Sequence, residues 1–195
     1  IHKSFGYRDP QFLGRRLYLA GGYVDEPDGR GALFSLSRPF FATITPYSLG
    51  VTESYRDTTQ ALYSGGTSAG SYRTVDNTAA ASYGRSLGST PSSVRQLFIG
   101  FSRQDSRHSP VGSPSAPIPE DRTLAAVQAS ISRQEVRYLK ERRIQQFDRD
   151  EDYNVGPGAA AGLGLAPRWL GSTVSRLLPR FEGQVGNSFG PGHFA

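Results

Sequence analysis

The groupings that could do chemistry are few. Gly66-Thr67-Ser68-Ala69-Gly70 has the G-x-S-x-G spacing that in serine hydrolases seats a nucleophilic serine on a tight turn between a buried strand and a helix. Here the run before it, Gln60 to Gly65, is too short and polar for that strand, and Ser71-Tyr72-Arg73-Thr74 opens no helix. His2, His108 and His193 stand apart without H-x-x-x-H or H-E-x-x-H spacing, so neither a zinc site nor a triad follows. Asp148, Asp150, Glu151 and Asp152 crowd four carboxylates but lack the glycine and spacing of an EF-hand loop. Asp9, Asp28, Glu53 and Glu182 fall in different segments, and Gly21-Gly22 has no following Lys to make a phosphate loop. The expectation is a protein that is not an enzyme, with no catalytic, cofactor-binding or metal residues.

The elements available to position side chains are not those of an ordinary soluble domain. The 195 residues (21.2 kDa) suffice for one domain, 1–195, yet only 36% are hydrophobic, mean hydropathy is -0.45, and there are 23 Gly and 13 Pro. That profile fits disorder, a solvated β fold, or a membrane β-barrel with a polar lumen. The 11 Phe and 10 Tyr argue against disorder, where aromatic residues are depleted. No run approaches the roughly 18 to 20 apolar residues of a transmembrane helix. Without cysteine there is no disulfide framework. Without methionine residue 1 is not an encoded start, and a mature product or fragment is expected. The net charge of +5 rests on scattered Arg, Lys occurring only at 3 and 140; a nucleic-acid binder would cluster them. No nucleic-acid partner is expected.

Side-chain alternation at a period of two marks the segments. Leu13 to Phe41 reads as a β-hairpin. Leu17, Leu19, Gly21 and Tyr23 share one face of its first arm, Asp25 to Gly29 forms the turn, and Ala32, Phe34 and Leu36 return, Leu33 breaking the alternation. Residues 1–14 lead in. Further segments are 47–56, a weak one at 72–85, the run around Leu97, Ile99 and Phe101, then 123–133, 153–166 and 177–185, about eight candidate strands in all. Glu53 interrupts an apolar face and is expected near a membrane interface. Residues 57–70, 104–121 and 134–152 are expected as external loops, the last with either a helical face or strand extensions, and the short connection after Phe41 as a tight periplasmic turn. A soluble sandwich or solenoid is the alternative.

Tyr7-Arg8-Asp9-Pro10-Gln11-Phe12-Leu13-Gly14-Arg15-Arg16-Leu17 and Ser35-Leu36-Ser37-Arg38-Pro39-Phe40-Phe41 resemble the first barrel strands of the bacterial surface antigen superfamily. It comprises the BamA-type and TamA-type outer-membrane insertion barrels and related two-partner secretion transporters. Phe147-Asp148-Arg149-Asp150-Glu151-Asp152-Tyr153-Asn154-Val155-Gly156 is similar to the entry to another strand in those barrels. The family's V-R-G-[FY] motif and its final strand ending in Phe or Trp are absent. The resemblance therefore implies the N-terminal half of a sixteen-stranded, all-β, antiparallel transmembrane barrel in the bacterial outer membrane.

It also implies a role in inserting or translocating proteins. The implied partners are outer-membrane lipid, unfolded outer-membrane or secreted proteins, and accessory periplasmic or lipoprotein components; no cofactor is implied. Lipid contact falls on Leu17, Leu19, Tyr23, Phe34, Leu36, Leu49, Val51, Leu97, Ile99 and Phe101. The weakly paired edge strand of the family falls on Arg15 to Val24, where Gly21 and Gly22 would loosen the seam. Two other readings stay open. One is a porin-like or small eight-stranded barrel; the other is a secreted β-rich domain with a patatin-like serine at Ser68, although that family's downstream Asp-Gly-Gly or Asp-Gly-Ala does not occur.

Overall fold

Alternating side chains let every backbone group enter a ladder while the side chains sort onto two faces, and nearly the whole chain is used this way. The computed structural model describes residues 2–142 and 150–186. The protein is all-β, 71% strand, and no α-helix occurs among the described residues. Its strands are β1 (Lys3–Asp9), β2 (Tyr18–Glu26), β3 (Gly29–Arg38), β4 (Tyr47–Ser64), β5 (Thr67–Thr90), β6 (Ser93–Val111), β7 (Arg122–Glu135), β8 (Tyr138–Arg142), β9 (Asp150–Asn154), β10 (Gly158–Ala166) and β11 (Arg176–Gln184). Nine of them form one antiparallel sheet in the order β1-β2-β3-β4-β5-β6-β7-β10-β11, while β8 and β9 pair separately. Glu135 N donates to Pro157 O (2.9 Å) and Val155 N to Arg137 O (2.9 Å), carrying the β7–β10 ladder onto β8–β9. The sheet is open, with β1 and β11 as its edges.

The lead-in 1–14 contains a strand, because Phe5 and Tyr7 alternate with Ser4, Gly6 and Arg8 over a stretch too short to stand out. β1 pairs along β2 from Lys3↔Asp25 to Asp9↔Leu19, and β2 pairs with β3 on its other side. The expected edge strand, with Arg15, Gly21, Gly22 and Val24, is therefore corrected: β2 is internal from Tyr18 onward, and Arg15 precedes it. Gly22 faces Gly6 and Gly21 faces Tyr7 across this pairing, so both glycines lie inside a continuous ladder rather than at an open seam.

The expected loops are also shorter than their composition implied. Residues 57–64 and 67–70 continue β4 and β5, joined only by Gly65-Gly66. Both have positive φ (57° and 83°), the backbone of a two-residue hairpin turn that matches strand twist. Residues 104–111 continue β6, leaving 112–121 as the connection to β7. These stretches, mostly polar residues with isolated apolar ones such as Leu62 and Val111, present no greasy face, so hydrophobic periodicity is silent although the ladder continues.

Antiparallel order also fixes which connections share an end. Residues 10–17, 39–46, 91–92 and the β7–β10 connection lie at one end, here the near end; 27–28, 65–66, 112–121 and 167–175 lie at the far end. The expectation that 57–70, 104–121 and 134–152 share one side is thereby corrected, since β7 runs to the near end. Strand extension, not a helix, occupies the described part of 134–152.

Gly29 opens β3 opposite Thr58, so close that a Cβ would overlap the Asp57 carbonyl and the Thr58 side chain. Gly29→Ala is expected to cost about 1–3 kcal/mol, read as a lower denaturant midpoint; an unchanged midpoint would refute the close approach.

Candidate functional site

Register places apolar side chains in continuous rows across the sheet. Leu19, Leu36, Val51, Ala81, Phe101, Val127, Leu165 and Leu177, one from each strand β2 to β7, β10 and β11, are successive cross-strand partners. The adjacent row runs Leu49, Tyr83, Ile99, Ala129, Leu163 and Pro179. Such residues normally close a core. Here Ile99 is 51% exposed, Leu163 48% and Phe181 82%, and among the described residues the buried apolar ones are only Ala69, Val94, Ala125, Ala126, Val155 and Ala166. The chain exposes 13585 Å², where a globular monomer of its mass exposes about 9,000 Å². The excess is the signature of a sheet with no covering layer.

This apolar belt has charged margins. On β3 it runs from Arg30 through Ala32, Phe34 and Leu36 to Arg38, and on β6 from Arg95 through Leu97, Ile99 and Phe101 to Arg103. Eight residues separate the charges on each strand, about 27 Å of chain. The near margin shifts steadily from strand to strand. It passes through Asp9 on β1, Arg38 on β3, Arg85 on β5 and Arg95 on β6, retreating six residues in register over five strand spacings. That inclines the margin about 40° to the rungs of the ladder. The far margin shifts the same way, from Arg30 to Arg103. Glu53 shares a row with Phe34, Ala79 and Arg103, the row that closes the belt on β6.

The opposite face carries small and polar side chains, as in the row Tyr18, Ser37, Gly50, Ser82, Gly100, Gln128, Gly164 and Leu178. A groove of about 560 Å³ lies there, lined by Ser82, Gln96, Phe98, Gln128, Ser130, Ser132, Arg180 and Glu182 among others. Phe40 folds onto this face edge-on to Phe98, with ring centroids 5.7 Å apart. On the belt face Leu17, Leu36, Leu49, Val51, Tyr83, Ile99, Val127, Leu163 and Leu165 help line an open trough of about 890 Å³. A strongly twisted sheet is saddle-shaped, so each face has a concave direction.

Just beyond the belt, Asp57 organises the far margin. Its side chain is 9% exposed and accepts from Arg73 Nε and Nη2 (both 2.6 Å), from Arg30 Nε (3.2 Å) and from the Tyr55 hydroxyl (3.0 Å). The Arg73 hydrogen bonds, foremost among these donors, hold the Asp57 carboxyl well below the ordinary carboxylate range against the opposing effect of burial. Asp105 repeats the arrangement with Arg103 (2.7 Å) and the Thr123 hydroxyl (2.7 Å).

Of the ten residues expected to face lipid, Leu19, Tyr23, Phe34, Leu36, Leu49, Val51, Leu97, Ile99 and Phe101 lie on the belt face by register, and Leu17, just before β2, lines the same trough. Phe5 and Tyr7 join them at the edge, 71% and 50% exposed, on a strand too short for pattern to reveal. Leu33 lies on the other face beside Gly22. Ser68 pairs with Tyr63 in the β4–β5 hairpin, not on a strand-to-helix turn. His2 lies 3.3 Å from Glu26 and His108 3.9 Å from Asp121; Asp148 and His193 lie outside the described residues. Among the described residues no group of three His, Asp or Glu could hold a metal. No family model, curated protein or solved structure matches the chain.

Asp57→Asn removes the charge that holds two guanidinium groups together. A loss of about 1–3 kcal/mol is expected in denaturant unfolding at neutral pH. Because the folded-state pKa is depressed, the Asp57 contribution is complete above the ordinary carboxylate range and is lost as pH falls through the folded value. The difference between wild type and variant should therefore narrow in acid; a difference that widens would contradict the assignment.

Proposed function

We propose that this chain is part of a transmembrane β-barrel of the outer-membrane type, with the belt against hydrocarbon and the small polar face toward the lumen. The observation that carries the reading is the inclined, charge-bounded belt. A flat membrane boundary drawn across tilted strands cuts the rungs obliquely, and outer-membrane barrels tilt their strands by about 35–45°. At 40° the roughly 27 Å between margins projects to about 21 Å, near the roughly 25 Å apolar band of such barrels. The open edges β1 and β11 fit a partial barrel whose remaining strands complete the ring. The resemblance of the Tyr7 to Leu17 and Ser35 to Phe41 stretches to the surface-antigen barrels supports, as the role, assisting insertion or translocation of proteins at the bacterial outer membrane.

The extension of β4, β5 and β6 beyond the belt at the far end favours that end as extracellular and the near end as periplasmic. The β7–β10 connection then belongs to the periplasmic side.

Ile99→Arg places a charge in the belt and should cost about 2–4 kcal/mol of insertion, whereas Gln96→Arg on the opposite face should cost little. Folding yield in lipid vesicles measures both; equal losses would defeat the two-faced reading. Vesicles already carrying the chain should also fold an added unfolded outer-membrane protein faster than empty ones. Equal rates would remove the insertion role while leaving the barrel reading intact.

A further inference from the structure

The two margins of the belt differ in charge balance. At the far margin Lys3, Asp25, Arg30 and Asp57 alternate in sign along one register row, and Arg103 is paired with Asp105. On β3, β5, β6 and β7 the near margin is arginine: Arg38, Arg85, Arg95 and Arg133 each lie just past the apolar stretch of their strand, on the belt face, while β4 begins there with Tyr47. Arg133 lies 3.6 Å from Glu135; among the described residues Arg85 and Arg95 form no ion pair.

Arg95 and Arg133 are moreover direct cross-strand partners. Like charges in that position repel, and an anion between them would relieve the cost. Aromatic rings flank the start of the row, with the Arg38 guanidinium 3.9 Å over the Tyr47 ring and that of Arg16 4.0 Å over Phe41, a pairing suited to a membrane–water interface.

We infer that Arg85, Arg95 and Arg133, continued by Arg38, form a basic girdle that binds the phosphates of anionic phospholipid headgroups. The inference rests on the membrane reading above, which puts these residues at headgroup depth in the leaflet of the near end. The guanidinium fork matches phosphate oxygens two at a time, and the margin's excess positive charge complements an anionic leaflet.

Flotation of the whole chain with vesicles tests the girdle. One set is phosphatidylcholine alone and the other contains about a third phosphatidylglycerol. Wild type should float with both and partition about tenfold more tightly onto the anionic set at low salt. Combined Arg85→Gln, Arg95→Gln and Arg133→Gln should lose most of that gain. Arg56→Gln, Arg107→Gln and Arg122→Gln, with the same net charge but substituted toward the far end, should keep it; a strand-type far-ultraviolet spectrum confirms that each variant folds. Flotation without anionic preference, or equal loss in both triple variants, overturns the girdle and leaves the membrane reading standing. Flotation with neither vesicle overturns both.

Discussion

A single layer of sheet satisfies its backbone in its own plane but leaves both side-chain faces to be covered from outside. The rest of this structure follows from that constraint. Among the described residues no second sheet or helix lies on the belt, so the apolar rows through Val51, Ile99 and Leu163 have no protein partner. Burial elsewhere among the described residues falls on a few alanines such as Ala125, Ala126 and Ala166, on Val94 and Val155, and on polar groups such as Thr45 and Asp57. In a medium without water the same arrangement is favourable, because the ladder leaves few unpaired backbone groups in its interior.

The charged residues obey the same constraint. On the belt face of β3 and β6 the arginines stand eight residues apart and bracket only Ala, Phe, Leu and Ile. Asp57 is the most enclosed carboxylate at the margin, and three donors on three strands converge on it: Arg30 from β3, Tyr55 from β4 and Arg73 from β5. That convergence fastens the central strands together where the belt ends, so the extension of β4 and β5 beyond it continues an anchored ladder. The two margins use charge differently, with alternating and paired charges at one end and an excess of arginine at the other.

The small-residue face solves a different problem. Gly84 has Ser48, Phe40 and Phe98 within reach of where a Cβ would stand, and Gly162 has the Ser130 side chain there. Close approach on this side leaves room for the groove bordered by Gln96, Gln128 and Arg180. Small residues on one face and large apolar ones on the other are what a curved sheet with a polar inside requires.

Local pattern determined much of this protein. The two-residue period assigned Leu17 to Tyr23, Ala32 to Leu36, Leu49, Val51 and Leu97 to Phe101 to one face without any coordinates, because alternation is a property of the chain alone. It failed where side chains carry no contrast in polarity, as in Thr58 to Ser64 and Arg103 to Val111, and where a strand is short, as in Lys3–Asp9. Tertiary pairing decided the rest: which strand is the edge, which connections share an end, and that residues distant in sequence align as inclined margins. Those are questions of register between strands, and register is set by contacts across the sheet that no single segment encodes.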